Sequence, residues 1–272
     1  MIYIPTLRSC FHAVAAAALA GLSLQTAVAN DVISFNAIGS QTGGMSTTDV
    51  AGAPGVNVPF WNNMNSVQTT AGGAISGSLL SITNNSGTPV NGLQLTWEGT
   101  GVARDPGTVS NDQKMFESEW DLFDSGNNTA AVDMTFTLTG VPFAIYDVYF
   151  YVQDASNVEI RGGNVTANGV TESIKMFASP QEIPVGPFSY VEADNHFSYT
   201  EDSEAGTYLR IENVTGDTLT LTISSQNPGV PRLRMSGFQI AAVPEPATGI
   251  AVLGGAGLLI GLRRGRRAVK TR

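Results

Sequence analysis

Cysteine and histidine are nearly absent from this chain: one cysteine, Cys10, and two histidines, His12 and His196, in 272 residues. Cys10 and His12 both fall in an N-terminal segment that reads as removable. The remaining body then has no cysteine and a single histidine, which excludes disulfide scaffolds, thiol catalysis and zinc sites of the Cys/His kind. Charge is scarce too, at 14% against roughly 25% in an average globular protein. Lysine and glutamate are the usual residues of helix surfaces, so a chain this short of them does not read as helix-rich or coiled-coil. Glycine and proline total 43 residues, below the level of low-complexity or collagen-like sequence. There is no P-loop, no dinucleotide fingerprint, no G-x-S-x-G string and no repeat of fixed period. In their place, glycine, serine, threonine and asparagine supply 96 residues, and 42% of the chain is hydrophobic, enough to close a core.

The charges that exist are unevenly placed. Residues Asn30 to Val243 carry 22 acidic and 7 basic side chains, a balance of −15, whereas Arg263 to Arg272 carries six basic and no acidic ones. Phosphate binding needs clustered Lys and Arg, so an acidic body argues against nucleic acid as its partner.

Both ends have the pattern of export signals. Arg8 and the amino terminus precede an apolar run of twelve, Ala13 to Leu24, and Ala27-Val28-Ala29 is a small-x-small cleavage site. Residues 1–29 therefore read as a signal peptide, helical in its apolar part, with cleavage expected after Ala29; the run is too short for a membrane span. At the other end, Pro244-Glu245-Pro246 is followed by sixteen uncharged residues, Ala247 to Leu262, and then by Arg263, Arg264, Arg266 and Arg267. As a transmembrane helix, 247–262 would be about 24 Å long. The arginines would hold their end in the cytoplasm and leave the body outside.

In this order of parts, the tail resembles the PEP-CTERM sorting signal of Gram-negative bacteria. The resemblance implies recognition by an exosortase-type membrane protease, a transient anchor in the inner membrane, and cleavage near the Pro-Glu-Pro string that releases the body to the cell surface or the extracellular space. Pro244 and Pro246 keep the backbone at the membrane edge out of a helix, hence extended and accessible. An unprocessed C-terminal anchor is the plainer alternative.

Between the signals, residues 30–243 alternate with a period of two. Val132, Met134, Phe136 and Leu138 share one face of a strand; Leu219, Leu221 and Ile223 share one face of another; Ile145 to Gln153 is apolar or aromatic on both faces. About eleven strands are expected, the others at 32–38, 75–83, 93–98, 158–162, 171–177, 197–199, 208–214 and 233–242. Turns are expected at 84–87, 124–128, Gly162-Gly163, Asn168-Gly169 and 227–229. A short helix is expected around 113–123, and residues 39–58 read as a long surface loop. This pattern predicts an all-β body, a single antiparallel two-sheet sandwich. Trp61-Asn62-Asn63, Gly92 to Trp97, Gly140-Val-Pro with Tyr146 to Tyr149, and Arg234 to Ile240 also resemble a group of secreted proteins carrying the same tail. That resemblance implies a jelly-roll body of the galactose-binding-like kind.

Candidate chemistry is sparse. Glu117, Glu119 and Asp121 would share one face of a strand, a spacing similar to the acidic trio of some sandwich-fold glycoside hydrolases, although the order of Asp and Glu differs; a solvated acidic segment is the alternative. His196 beside Asp194 reads as a surface residue. Asp121 to Asn128 has carboxylates and amides able to ligate calcium, or to form a turn. Trp61, Trp97 and Trp120 would stack on sugar rings if exposed and fill the core if not. No catalytic, cofactor or metal residue is assigned. The leading reading is a non-enzymatic exported surface or extracellular-matrix protein. A carbohydrate-binding module acting on matrix polysaccharide is the alternative, and a glycoside hydrolase the third.

Overall fold

A computed structural model describes residues 31–38, 44–65, 73–104, 115–116, 119–122, 131–152, 162–176, 190–193, 205–226 and 232–244. Twelve strands run through them: β1 Val32–Ile38, β2 Asn62–Asn65, β3 Gly73–Leu79, β4 Gln94–Arg104, β5 Glu119–Leu122, β6 Asp133–Thr139, β7 Ile145–Val152, β8 Gly162–Ala167, β9 Val170–Lys175, β10 Tyr208–Thr215, β11 Thr218–Ser225 and β12 Leu233–Ala242.

The fold is β-dominated, with two ladders. One runs β2-β1-β12-β7-β10 and the other β3-β4-β6-β11-β8-β9. Strand β4 joins them: Gln94 to Gly99 pair with β6, while Val102 to Arg104 pair with β5, which continues to β12. Among the named strands, pairing is antiparallel except for β1 against β2, which is parallel; two isolated bridges, Lys175 to Ala205 and Glu192 to Tyr208, are parallel as well. The expected purely antiparallel arrangement is corrected at the β1–β2 pair.

The period-two pattern explains where the core sits. Phe136 and Leu138 of β6, Leu221 and Ile223 of β11, Leu95 and Trp97 of β4 point inward from the second ladder. Ile33 and Phe35 of β1, Val148 and Phe150 of β7, and Phe238 and Ile240 of β12 meet them from the first. Phe35 stacks on Phe238 at 4.7 Å between centroids, and Phe238 lies 5.3 Å from Phe136. Threonines fill the outward positions of β11 and β6, where the pleat turns them to solvent.

β1, β7 and β12 are buried along nearly their whole length. Their second face is covered by residues 44–61, with Met45, Ala51, Ala53, Val56 and Trp61 packed on Tyr149, Tyr151 and Tyr208. The expected surface loop at 39–58 is, over its described part, a covering layer.

Two local expectations are overturned. The helix around 113–123 is not formed at 119–122, where β5 puts Trp120 and Leu122 into the core and Asp121 on the opposite side. Gly162-Gly163 is not a turn but the start of β8. A Cβ on Gly163 would stand 2.2 Å from the carbonyl oxygen of Ser224, so the glycine permits the close approach of β8 to β11. The Asn168-Gly169 turn is present, with φ of 47° and 89°, as a two-residue hairpin requires. The expected strands at 158–162 (apart from Gly162) and 197–199, and the turns at 124–128 and 227–229, lie outside the described residues.

Candidate functional site

The two ends of the body meet in one place. β1 and β12 pair antiparallel, with Val32 opposite Ala241. One residue further out, the Ala242 amide donates to the Asp31 carbonyl at 2.9 Å, and the Val243 amide donates to the Ile145 carbonyl at 3.1 Å. Pro244 follows, exposed, and lacks the N–H that would continue the ladder. The chain thus enters the sheet at Asp31, two residues after the expected cleavage at Ala29, and leaves it two residues before Pro244-Glu-Pro. Ala27, Ala29, Glu245, Pro246, the span 247–262 and Arg263, Arg264, Arg266 and Arg267 lie outside the described residues. No helix among the described residues is long and apolar enough to cross a membrane.

A second place of interest is the covering layer over β1, β7, β10 and β12. Gln239, fully buried on β12, accepts a hydrogen bond from the Tyr151 hydroxyl and donates to Ser34 Oγ at 2.8 Å and to the Val56 carbonyl at 3.0 Å. The Tyr151 hydroxyl in turn accepts from the Ala53 amide at 2.9 Å. The Tyr190 hydroxyl accepts from the Gly52 amide at 2.8 Å. These bonds satisfy the backbone of a segment with no regular ladder of its own beyond the Ala51–Val58 bridge. Burial pushes the Tyr151 hydroxyl well above its ordinary pKa; Tyr208 is raised as well, by burial and by its hydrogen bond to Glu192.

Above this layer lies a shallow concavity of about 580 Å³ between Val50–Gly52, Pro54–Gly55, Asn57 and Tyr190. Among the described residues its lining holds no carboxylate, histidine, lysine or arginine. The described lining offers backbone groups, one amide and one tyrosine, groups that can hydrogen-bond a neutral ligand.

The asparagines of the Trp61-Asn62-Asn63 string prove to be backbone mimics. Asn62 donates through Nδ2 to the Ser34 and Thr83 carbonyls and accepts through Oδ1 from the Thr83 amide. Asn63 accepts from the Met45 amide and donates to its carbonyl, at 3.0 and 2.9 Å. The pair holds β2 at the sheet margin and anchors the start of the covering layer.

The acidic trio does not form a described site. Asp121 is fully buried and ion-paired with Arg232, whose Nε donates at 3.1 Å, with Arg234 Nε 3.5 Å away. Its carboxylate is committed to holding β5 against the β12 end of the sheet. Glu117 and His196 lie outside the described residues, as does 123–128 of the calcium candidate. No group of three or more His, Cys, Asp or Glu that could hold a metal is present among the described residues. Trp61, Trp97 and Trp120 are 5%, 3% and 0% exposed. All three are therefore core residues, and none presents a stacking face to solvent. Trp120 lies parallel to Phe136 at 6.1 Å and donates to the Ile38 carbonyl at 3.0 Å. A charged cluster sits on the outer side of β7 and β10: Arg210 bonds Asp147 at 2.7 Å and Glu212 at 2.9 Å, over the Tyr149 ring.

Sequence reasoning passed over Tyr151 and Gln239. The only signal for them was a glutamine and tyrosines placed within strands apolar on both faces. No family model matches the chain, and no curated protein matches it.

Proposed function

We propose that this chain is an exported bacterial surface or extracellular-matrix protein with no catalytic role, sorted through a PEP-CTERM signal. In this reading residues 1–29 are removed on export, an exosortase-type membrane protease acts at Pro244-Glu245-Pro246, and 247–262 with its arginines is a temporary inner-membrane anchor. The body is then a jelly-roll-like sandwich delivered to the cell surface or beyond. The observation that carries the reading is the bond between Ala242 and Asp31. The folded unit is closed by its first and last strands, and both expected cuts fall just outside that closure. Neither expected cut removes a residue of the β1–β12 ladder or of the Ala242–Asp31 bond.

The test is Glu245→Ala in the native host. A protease reading an extended Pro-Glu-Pro segment depends on its single carboxylate, and Glu245 lies beyond the last ladder bond. The variant is expected to be exported, folded and retained in the membrane at the unprocessed mass. Trimming and release equal to wild type would reduce the tail to an ordinary anchor.

A carbohydrate-binding role on matrix polysaccharide is favoured by one observation, the concavity beside Tyr190, whose described lining carries no charged side chain. A glycan array with the exported protein and with Tyr190→Ala tests it; equal signal from both removes this reading.

A further inference from the structure

Four strands end the two ladders, and three of them are closed to further pairing. β2 is four residues long, and Asn62 and Asn63 bind the neighbouring backbone of Thr83 and Met45. β9 carries Glu172 and Lys175, and the Lys175 carbonyl accepts from the Gly206 amide. β10 is broken by a bulge between Ile211 and Val214, carries Arg210 and Glu212, and is bonded at its start to Val191 and Ala193. Short length, charge and bulges are the devices by which sheets avoid adding foreign strands.

β3 has none of these devices. It pairs with β4 through all seven residues, Gly73 to Leu79, without a register shift. Its other edge has no strand partner among the described residues. From Gly73 to Thr83 there is no charged residue and no proline, and Leu80 just beyond the strand is 72% exposed. The uncharged stretch is in fact much longer: no Asp, Glu, Lys or Arg occurs from Val50 to Trp97. In a body of balance −15, this is the margin that a second copy can approach without like-charge repulsion. On the neighbouring strand β4, the acid Glu98 stands opposite Ser76. Two copies joined through β3 would hold their Glu98 residues three strand spacings apart, roughly 14 Å, beyond a Debye length of about 10 Å.

We infer that β3 is a homotypic pairing edge, through which two copies of the chain join antiparallel about a two-fold axis and continue the second ladder from one body into the other. Such an interface is self-complementary and closes at two. The midpoint of the seven-residue strand is Ser76, so full pairing sets Ser76 against the same residue of the second copy. Ser76 and Ser78 point outward, away from the core, which leaves them free to vary without disturbing packing.

The cysteine-poor sequence makes the test direct. In a Cys10→Ser background, a single Ser76→Cys would be the only thiol. Opposed residues of an antiparallel pair have Cα atoms about 4.5–5.5 Å apart, within disulfide reach. The expected result is a covalent dimer from Ser76→Cys under mild oxidation, and none from Thr137→Cys, half-buried on the outward side of β6 in the middle of the same ladder. The protein without cysteine should sediment as a dimer, and Ser76→Lys, which opposes two like charges, as a monomer with an unchanged circular dichroism spectrum. A cysteine-free protein that sediments as a monomer, or cross-linking equal at positions 76 and 137, overturns the inference.

Discussion

The amide of Ala242 donates to the carbonyl of Asp31 at 2.9 Å, so the last residue of the final strand is bonded to the residue that precedes the first. Closing a sheet with its own termini protects both strand ends. Both residues of that bond lie between the two expected cleavage points, so processing there would keep the closing ladder.

The buried pair of Asp121 with Arg232 should be costly to break. Removing the carboxylate takes from part-buried Arg232 and buried Arg234 a partner that is itself fully buried. Asp121→Ala is expected to destabilise the body by about 3–5 kcal/mol in urea unfolding. A loss under about 1 kcal/mol would show the pair to be dispensable and reopen Asp121 as a residue available for chemistry.

Tyr151→Phe isolates the anchoring of the covering layer. The ring and its contacts with Trp61 and Phe116 remain, while the Ala53 amide and Gln239 lose their shared partner. The expected cost is about 1–3 kcal/mol. Hydrogen exchange should quicken at Ala53 and Val56 and stay unchanged at the β6–β11 ladder. Uniform quickening across both ladders would mean that the layer does not open separately.

Alkaline pH should weaken the fold. Burial raises the Tyr146 hydroxyl from 10.0 to about 12, and Tyr151 is also raised well above 10.0. Once pH passes the ordinary tyrosine value, the unfolded chain loses these protons while the folded one keeps them. The contribution is whole below about pH 10 and is lost as pH climbs through the raised values. The urea midpoint should therefore fall between about pH 10 and 12, and part of the tyrosinate absorbance should appear only with unfolding. A midpoint constant to pH 12 would contradict this.

Much of the β pattern was legible because it rests on alternation. β1 and β12 were read at their full extents, and β6, β7, β10 and β11 to within two residues, since each buries at least one complete face. The elements missed were those formed for other reasons. β2, Asn-Asn-Met-Asn, has little intrinsic preference for a strand; side-chain amide bonds to Thr83 and Met45 and parallel pairing with β1 hold it. β5 is stabilised by burying Trp120 and Leu122 from one side and pairing Asp121 with arginines distant in sequence on the other. Gly163 looks like a turn residue in sequence because closeness to another backbone and reversal of the chain both call for glycine. The closing of the body by Asp31 and Ala242 depends on a pairing 211 residues apart, which local pattern does not encode.

The most direct test of the sorting account is the intact mass of the mature protein recovered from the surface or medium of its native host. The account predicts a chain that begins at Asn30 and ends within or next to Pro244-Glu245-Pro246, without residues 247–272. A recovered protein that still begins at Met1, or still carries Arg263 to Arg272, would contradict it.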